Sequence, residues 1–220
     1  MPDLSSLTRC PLFAGVAHKD LDPLLTCLAG RISHHTKGAV ILGAGDRPDS
    51  VGIVLDGRVY ITKEDYFGNR NILTQIGPGG LFAEALACAG VEASPVGVVA
   101  SEDCRILRVA YRRITNPCSE SCGLHPILVQ NMLRVLAQKN IALVDKLECL
   151  TRRTTQDKVM SYLVGQATRH QSNTIDIPFN RQGLADFLSV DRSSLSTELS
   201  KLQKQGKIRY HKNHFELLGT

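Results

Sequence analysis

One stretch of apolar residues constrains the fold of this 220-residue chain more than any other feature. Between Pro126 and Leu150, apolar positions recur at alternating steps of four and three residues, the heptad spacing of a helix that packs along another helix. The positions are Val129, Leu133, Leu136, Asn140, Leu143, Leu147 and Leu150. The spacing predicts a long helix over residues 126–150 that pairs with a second copy of itself. A helix buried in the core of a single chain is the alternative.

Two details of this segment refine the prediction. Asn140 occupies one position of the seam, where a single polar residue commonly fixes the register of a two-stranded parallel pair at some cost in stability. A second apolar row, formed by Leu128, Met132, Val135 and Ala142, is expected to face the rest of its own chain. The sequence therefore predicts one helix with two apolar faces.

The segment before this helix has the pattern of antiparallel β structure. Short apolar runs between about Ile32 and Arg113 are separated by turn residues, and Asp56-Gly57 between two such runs predicts a β-hairpin. The candidate strands are residues 39–42, 51–55, 58–61, 71–73, 96–99 and 105–109. About eight short strands in so small a region predict a roll or barrel.

The segment after the helix contains a helix-turn-helix pattern. Two short amphipathic helices are predicted, joined by a link in which Ser189 or Asp191 is expected to cap the second helix. Their inner faces are Leu184, Ala185 and Leu188, then Leu195, Leu199 and Leu202. The outer face of the second helix carries an arginine and short hydroxyl side chains, which suits entry into the major groove of DNA.

The distribution of charge agrees with a nucleic-acid-binding C-terminal segment. Residues 1–150 carry 15 Lys+Arg and 15 Asp+Glu, whereas residues 151–220 carry 11 and 6. Residues 206–211 and 214–218 predict a cationic β-hairpin, here called the wing, around Lys212-Asn213. A basic module on a neutral body is typical of phosphate recognition.

A further helix is predicted to begin at Thr154, because Asp157 follows three positions later as in a helix N-cap motif.

Composition and missing motifs exclude several classes of protein. The chain is 43% hydrophobic and 21% charged, close to globular averages. No window approaches the ~18 consecutive apolar residues of a membrane span, and the first twenty residues lack a signal-peptide pattern. The sequence contains no Walker loop, dinucleotide fingerprint, H-E-x-x-H or G-x-S-x-G motif. We therefore expect a cytoplasmic protein that is not an enzyme and does not contact a membrane.

The seven cysteines are an odd number in a chain expected to be cytoplasmic, which argues against a disulfide framework. Cys118 and Cys122 are the closest pair. They could ligate a metal or cluster or form a redox pair, and packing as free thiols is the alternative.

A series of short motifs resembles the Crp/Fnr family of bacterial transcription regulators in its order and spacing. The motifs are Cys10-Pro11-Leu12-Phe13, Lys37-Gly38, Gly45-Asp46, Leu55-Asp56-Gly57, residues 77–82, residues 100–104, the leucine helix, residues 181–185 and Val190-Asp191-Arg192. The resemblance covers nearly the whole chain. It implies an α+β fold with a cyclic-nucleotide-binding-like β roll (jelly roll) at residues 1–125, a dimerisation helix at 126–150 and a winged helix-turn-helix DNA-binding domain at 151–220.

The function implied by the resemblance is a homodimeric, sequence-specific transcriptional regulator. Its partners would be a palindromic promoter site in double-stranded DNA, a second copy of the chain, and RNA polymerase. The residues expected at the DNA are Arg181, Gln182, Asp191, Arg192, Ser193, Ser194, Ser196, Thr197, Lys201 and Lys212. The alternative is a cyclic-nucleotide-binding, haem-sensing or redox-sensing module whose C-terminal helices serve protein interaction.

The nucleotide motif of the family is altered in this chain. Members that bind cyclic AMP carry Phe-Gly-Glu and, some ten residues later, an arginine that meets the phosphate. Here Phe82-Ala83-Glu84 keeps the glutamate, but residues 93–98 contain no cation. Burying a phosphate without a cationic partner costs several kcal/mol. The effector is therefore expected to differ from cyclic AMP. A small apolar or anionic metabolite is expected near Ala83, Glu84, Ala85 and Asn140.

The resemblance raises two metal cofactors, because some members of the family carry an iron–sulfur cluster or haem. An iron–sulfur cluster needs a compact N-terminal group of cysteines, and because only Cys10 and Cys27 precede the roll, no cluster is expected. Haem remains an alternative cofactor, because the chain has seven histidines that could serve as an axial ligand. His34 and His35 lie at the start of the roll, where ordinary exposed strand residues are the other interpretation.

Overall fold

The computed structural model describes residues 5–65, 70–116 and 123–218. The chain divides into two compact units, and the boundary between Ala137 and Gln138 falls inside the long helix. Within the described residues, no helix combines the length and the apolar character needed to cross a bilayer.

The first unit combines short helices with two β-sheets. Two short 3₁₀ helices, Ser5–Arg9 and Pro11–Phe13, precede the first α-helix. The α-helices before the long helix are α1 (His18–Cys27), α2 (Glu84–Ala89) and α3 (Tyr111–Thr115). The strands are β1 (Arg31–His35), β2 (Val40–Leu42), β3 (Ser50–Asp56), β4 (Val59–Glu64), β5 (Arg70–Ile76), β6 (Leu81–Phe82), β7 (Gly97–Ala100) and β8 (Cys104–Ala110).

The two sheets of this unit form an antiparallel roll, as predicted. Their strand orders are β1-β8-β3-β6 and β2-β7-β4-β5. Residues from both sheets, such as Val54, Val98 and Ile106, share one buried cluster. The other face of β3 and β8 packs against α1 and the start of the long helix in a second cluster that includes Leu21 and Leu107.

The prediction of a β-hairpin at Asp56-Gly57 is wrong. This turn joins β3 to β4, which lie in different sheets, so the chain crosses here from one sheet to the other. Gly57 has a φ of +72°, and a Cβ at this position would lie 2.3 Å from the Asp103 carbonyl oxygen. The glycine is therefore required by a close backbone approach as well as by its φ angle.

The long helix α4 spans His125–Thr151. Leu128, Met132 and Val135 of the second apolar row are buried, and the first two pack in the core of the roll. The expectation for Ala142 is wrong, because this residue is exposed. Of the predicted seam, Leu133, Asn140, Leu143 and Leu147 are exposed, and Val129, Leu136 and Leu150 are half-buried.

The second unit packs helices against a small sheet. After α4 come α5 (Thr155–His170), β9 (Thr174–Asp176), α6 (Arg181–Leu188), α7 (Arg192–Lys204), β10 (Ile208–His211) and β11 (His214–Leu217). The sheet has the order β10-β11-β9, and Ile175, Ile208 and Phe215 join the leucines of α6 and α7 in one core. As predicted, Thr154 caps α5, because its hydroxyl oxygen accepts from the Asp157 N–H at 3.0 Å.

Candidate nucleic-acid interface and effector region

The helix-turn-helix predicted from the leucine pattern is formed by α6 and α7. All six inner residues, Leu184, Ala185, Leu188, Leu195, Leu199 and Leu202, are buried. Asn180 caps α6 by accepting from the Gly183 N–H at 2.8 Å. Ser189 ends α6 in the left-handed conformation, with a φ of +51°. The cap predicted for α7 differs, because Asp191 is the N-cap residue but its side chain makes no capping hydrogen bond.

The side chains at the start of α7 form the exposed face predicted for DNA contact. Arg192, Ser193, Ser194 and Thr197 are exposed, and Ser196 is half-buried. Arg192 has no ion-pair partner among the residues described. Its five guanidinium N–H donors are in a position to pair with a base edge or a phosphate.

Three hydroxyl groups of α7 donate hydrogen bonds to the backbone of their own helix. Ser196 donates to the Arg192 carbonyl at 2.9 Å, Thr197 to the Ser193 carbonyl at 3.0 Å, and Ser200 to the Ser196 carbonyl at 2.9 Å. Each hydroxyl oxygen keeps lone pairs that accept hydrogen bonds. In this conformation the hydroxyls therefore offer acceptors to a base, and Arg192 supplies the donors.

Two other predicted DNA residues are held by neighbouring carboxylates. Lys201 Nζ lies 2.7 Å from Glu198 Oε1, and Gln182 donates to Asp186 Oδ1 at 2.8 Å. Both carboxylates lower the local positive potential, while the Lys201 ammonium and the Gln182 amide each keep further N–H donors for a phosphate.

The wing is a two-residue hairpin, as predicted. Lys212 occupies its turn with a φ of +54°, is exposed, and has no ion-pair partner in the part of the chain that the structure describes. Two other side chains of the wing have acidic partners: Arg209 Nη1 lies 2.8 Å from Glu216, and His214 Nδ1 lies 2.9 Å from Asp176. Lys212 is thus the cation at the tip of the wing.

Arg181 connects the helix-turn-helix to the wing. Its guanidinium carbon lies 5.0 Å from the centre of the Tyr210 ring, within range of a cation–π interaction. Burial lowers the pKa of Arg181 from its ordinary value, and the nearby Arg192 charge acts in the same direction. Two guanidinium groups therefore lie near each other where α6, α7 and β10 meet.

The effector residues predicted in the roll lie at the start of α2. Ala83 is the N-cap residue, in the left-handed conformation with a φ of +60°. Glu84 is only 3% exposed, and Ala85 is exposed. The structure therefore brings Ala83, Glu84 and Ala85 together, whereas Asn140 belongs to the second unit and is exposed on α4.

The segment that lacks the phosphate-binding arginine is fixed by its own hydrogen bonds. Ser94 is buried; its hydroxyl donates to the Val96 carbonyl at 2.7 Å and accepts from the Val96 N–H at 3.3 Å. Its backbone N–H donates to the Asp46 carbonyl at 2.8 Å. The serine hydroxyl is thus engaged within its own turn.

The cysteines and histidines form no metal centre within residues 5–65, 70–116 and 123–218. Burial raises the pKa of the Cys10 thiol to about 11, and burial also raises the pKa of Cys88, Cys104 and Cys149. His34 is exposed, whereas His35 is half-buried and lies 2.8 Å from the Ser33 hydroxyl. The pair Cys118 and Cys122 lies outside the described residues.

Comparison with known proteins decides the family. Residues 32–121 match the cyclic nucleotide-binding domain, and residues 157–219 match the Crp-like helix-turn-helix domain, so that the two models together match more than half of the chain. The transcriptional activator protein FnrL of Cereibacter sphaeroides is 26% identical over 180 residues, which are 78% of this chain and 69% of that protein. The chain belongs to the Crp/Fnr family. It is a DNA-binding transcriptional regulator of this type.

Further relatives agree with this assignment. The nitrogen fixation regulation protein FixK of Bradyrhizobium diazoefficiens is 24% identical over 185 residues, or 81% of this chain and 74% of that protein. The crystal structure of the Thermus thermophilus catabolite activator protein has a TM-score of 0.54 at 22% identity, covering 94% of this chain and 93% of that chain. The latter comparison shows the shared fold.

Sequence reasoning missed two residues of this Crp/Fnr regulator that shape its DNA-binding unit. Asn180 is not among the predicted caps, although an asparagine just before an amphipathic helix is a usual N-cap signal. Tyr210 is predicted only as part of the wing. Its alternation with Ile208, which places both side chains on the inner face of β10, was the signal that its ring lies against the helices.

Proposed function

We propose that this Crp/Fnr regulator is a homodimer that reads a palindromic DNA site through α7 and the wing, and whose roll responds to an effector other than cyclic AMP. The observation that supports DNA reading most directly is Arg192 at the start of α7, which is exposed and has no ion-pair partner among the described residues. It lies near Arg181, on the same unit as the exposed Lys212. A recognition helix contacts bases with its N-terminal residues, where Arg192 lies.

The two cations have different proposed roles. Arg192 stands on the helix that enters the major groove, where an arginine pairs with guanine through two hydrogen bonds. Lys212 stands at the tip of a hairpin, where a flexible ammonium group suits a phosphate contact. Arg192 therefore contributes base preference, and Lys212 contributes affinity for any sequence.

Selection of bound DNA from a random pool, followed by affinity measurements over a range of salt, tests this proposal. We expect two half-sites about 34–36 Å apart, centre to centre. Arg192→Ala should cost about 1–3 kcal/mol on the selected site and relax base preference at one position of each half-site. Lys212→Ala should weaken binding to selected and random DNA alike. Lys204→Ala, at the far end of α7, is the control and should change base preference least.

Equal losses on selected and random DNA for Arg192→Ala would show that Arg192 contacts only phosphates. Failure to select any sequence, with and without cell extract as a source of effector, would contradict DNA reading by α7.

The proposal of a homodimer is supported by the exposed apolar face of α4. Five residues on this helix, Leu133, Ile141, Leu143, Val144 and Leu147, are between 56% and 64% exposed. Scattered exposed leucines are normal, but several on one continuous helix form a contiguous apolar surface. Burial against a second α4 removes this surface from water. Sedimentation at micromolar concentration should show a dimer, and a single 24.1 kDa species would contradict the proposal.

The proposal of a different effector is supported by the segment around Ser94. This segment offers no cation, and the Ser94 hydroxyl is engaged with Val96. A buried phosphate would therefore lack the charge-assisted partner that it needs. Calorimetric titration with cyclic AMP should show no micromolar binding. Micromolar binding that also raised DNA affinity would contradict this part of the proposal.

A further inference from the structure

A cavity of about 460 Å³ lies in the first unit at the C-terminal end of α2. Three segments form it: the loop between β2 and β3, the end of α2, and the junction between β8 and α3. Its volume is within the range of cavities that hold small organic ligands. It lies at the opposite end of α2 from Glu84.

The charged groups of this cavity are two arginines and one aspartate. Arg47 comes from the loop before β3, and Arg112 comes from α3, so that two separate elements each contribute an exposed arginine to the lining of one cavity. Neither arginine forms an ion pair with any described residue. Asp49 also lines the cavity and leaves a net positive charge.

The larger cavity of the second unit, about 1050 Å³, differs in this respect. Two of its arginines are already neutralised, because Arg152 pairs with Glu148 and Arg169 pairs with Asp145. An anion entering there would have to displace a carboxylate. In the cavity beside α2, Arg47 and Arg112 form no ion pair with a carboxylate of the described residues, although Asp49 lines the same cavity.

The remaining walls of the cavity beside α2 are mostly apolar. Ala87, Val91 and Tyr111 line it, together with the half-buried thiol of Cys88. The Tyr111 side chain and the Cys88 thiol lie near each other in this wall. The cavity thus combines a cationic rim with an apolar wall.

We propose that this cavity is a binding site for a small organic acid, with its carboxylate between Arg47 and Arg112 and its apolar body against Ala87, Val91 and Tyr111. Guanidinium groups match the planar geometry of a carboxylate, and charge-assisted hydrogen bonds are the stronger kind. The apolar wall favours an acid with a hydrocarbon or aromatic body over inorganic phosphate. This inference concerns the roll and does not depend on DNA binding.

Benzoate is a suitable probe, with benzamide as its uncharged counterpart. In a titration of the full-length protein at low salt, followed by NMR chemical shifts, benzoate should bind with a Kd of about 1 mM, the scale for so small a molecule. Benzamide should bind about tenfold more weakly or not at all. Equal affinity for the two compounds, or no shift at about 20 mM benzoate, would overturn the proposal.

Matched variants test the two arginines. Arg47→Gln and Arg112→Gln keep much of the side-chain length and remove the charge, and each should weaken benzoate binding about tenfold. Arg113→Gln removes the adjacent, exposed arginine of α3, which does not line the cavity, and should change the Kd less than twofold. An equal loss in Arg113→Gln, with unchanged melting temperatures for all three variants, would show a general charge effect and overturn the assigned site.

The cysteine in the wall gives a second measurement without any substitution. Bound benzoate should slow the alkylation of Cys88 by iodoacetamide, measured by peptide mass spectrometry. The half-buried Cys27, outside the cavity, should react at an unchanged rate. Unchanged reactivity of Cys88 at saturating benzoate would place the ligand elsewhere and overturn the assigned site.

Discussion

Most apolar side chains in the first half of α4 are at least half-buried, with Leu133 as an exposed exception, whereas most of those in the second half are exposed. In the first half, Leu128 is completely buried against the roll, and Met132 is nearly so. In the second half, Leu147 is 60% exposed, as are Leu143 and Val144 to a similar degree. One continuous helix of 27 residues thus has apolar residues that its own chain covers and others that it leaves in water.

Because of this difference, apolar residues of α4 contribute either to the folding of the single chain or to its association with a second copy. Burial of Leu128 takes place when the single chain folds, so it contributes to folding whatever the state of association. The exposed leucines contribute only when another surface covers them, so their effect depends on protein concentration. Substitutions in the two halves should therefore change different measured quantities.

The largest effect is expected from charges placed in the second half. Leu143→Glu combined with Leu147→Glu should raise the dimer dissociation constant by at least about 100-fold, because each substitution enters a symmetric interface twice and buries an unpaired charge there. Sedimentation equilibrium measures this change. Gln138→Glu, which adds one negative charge at an exposed position of α4 outside the apolar face, is the control for a carboxylate on this helix. If the double variant still formed a dimer as tightly as the control, the exposed leucines would not form the interface.

A substitution in the first half should instead lower the stability of the single chain. Leu128→Ala leaves a cavity in the core of the roll and should reduce the free energy of unfolding by about 2–5 kcal/mol. Chemical denaturation of the Leu143→Glu/Leu147→Glu background measures this loss without a contribution from association. A loss below about 1 kcal/mol would show that the first half of α4 is not anchored in the core of the roll.

The contrast along α4 was partly visible in the sequence. The heptad spacing predicted the helix, because a repeat of 3.5 residues involves many positions along one short segment. The leucines of α6 and α7 predicted the helix-turn-helix for the same reason. Four of the seven seam positions of α4 are exposed and three are half-buried. Ile141 and Val144, which widen the exposed face, stand outside the predicted seam.

The parts that failed depend on contacts between distant residues. Asp56-Gly57 is a turn signal, but which strands it connects depends on the pairing of β3 with β8 and of β4 with β7. Helix α2 has only six residues, too few for a helical period to be recognised in the sequence. Its N-cap residue, Ala83, adopts a left-handed conformation that usually favours glycine. The cavity beside α2 joins Arg47 to Arg112, which no local pattern connects.

A smaller change is expected from the polar residue within the exposed face. Asn140→Leu removes an amide that must be desolvated in a dimer, and should tighten association by about 1–2 kcal/mol. It should also loosen the choice of register, so that species larger than a dimer form. Sedimentation equilibrium over a wide concentration range measures both effects. Weaker association of Asn140→Leu would mean that the amide makes a specific bond across the interface.

The smallest effect is expected at Ala142. A leucine at this position tests whether an added apolar residue must lie on the exposed apolar face of α4 to change association. Ala142 is exposed and lies two residues after Asn140, about 200° round the helix, so it points away from the exposed apolar face. Ala142→Leu adds apolar surface with almost no change in helix propensity. Both the dissociation constant and the free energy of unfolding should change by less than about 0.5 kcal/mol. A dimer that became markedly tighter would mean that α4 associates through general apolar attraction, and a more stable monomer would mean that Ala142 faces its own chain.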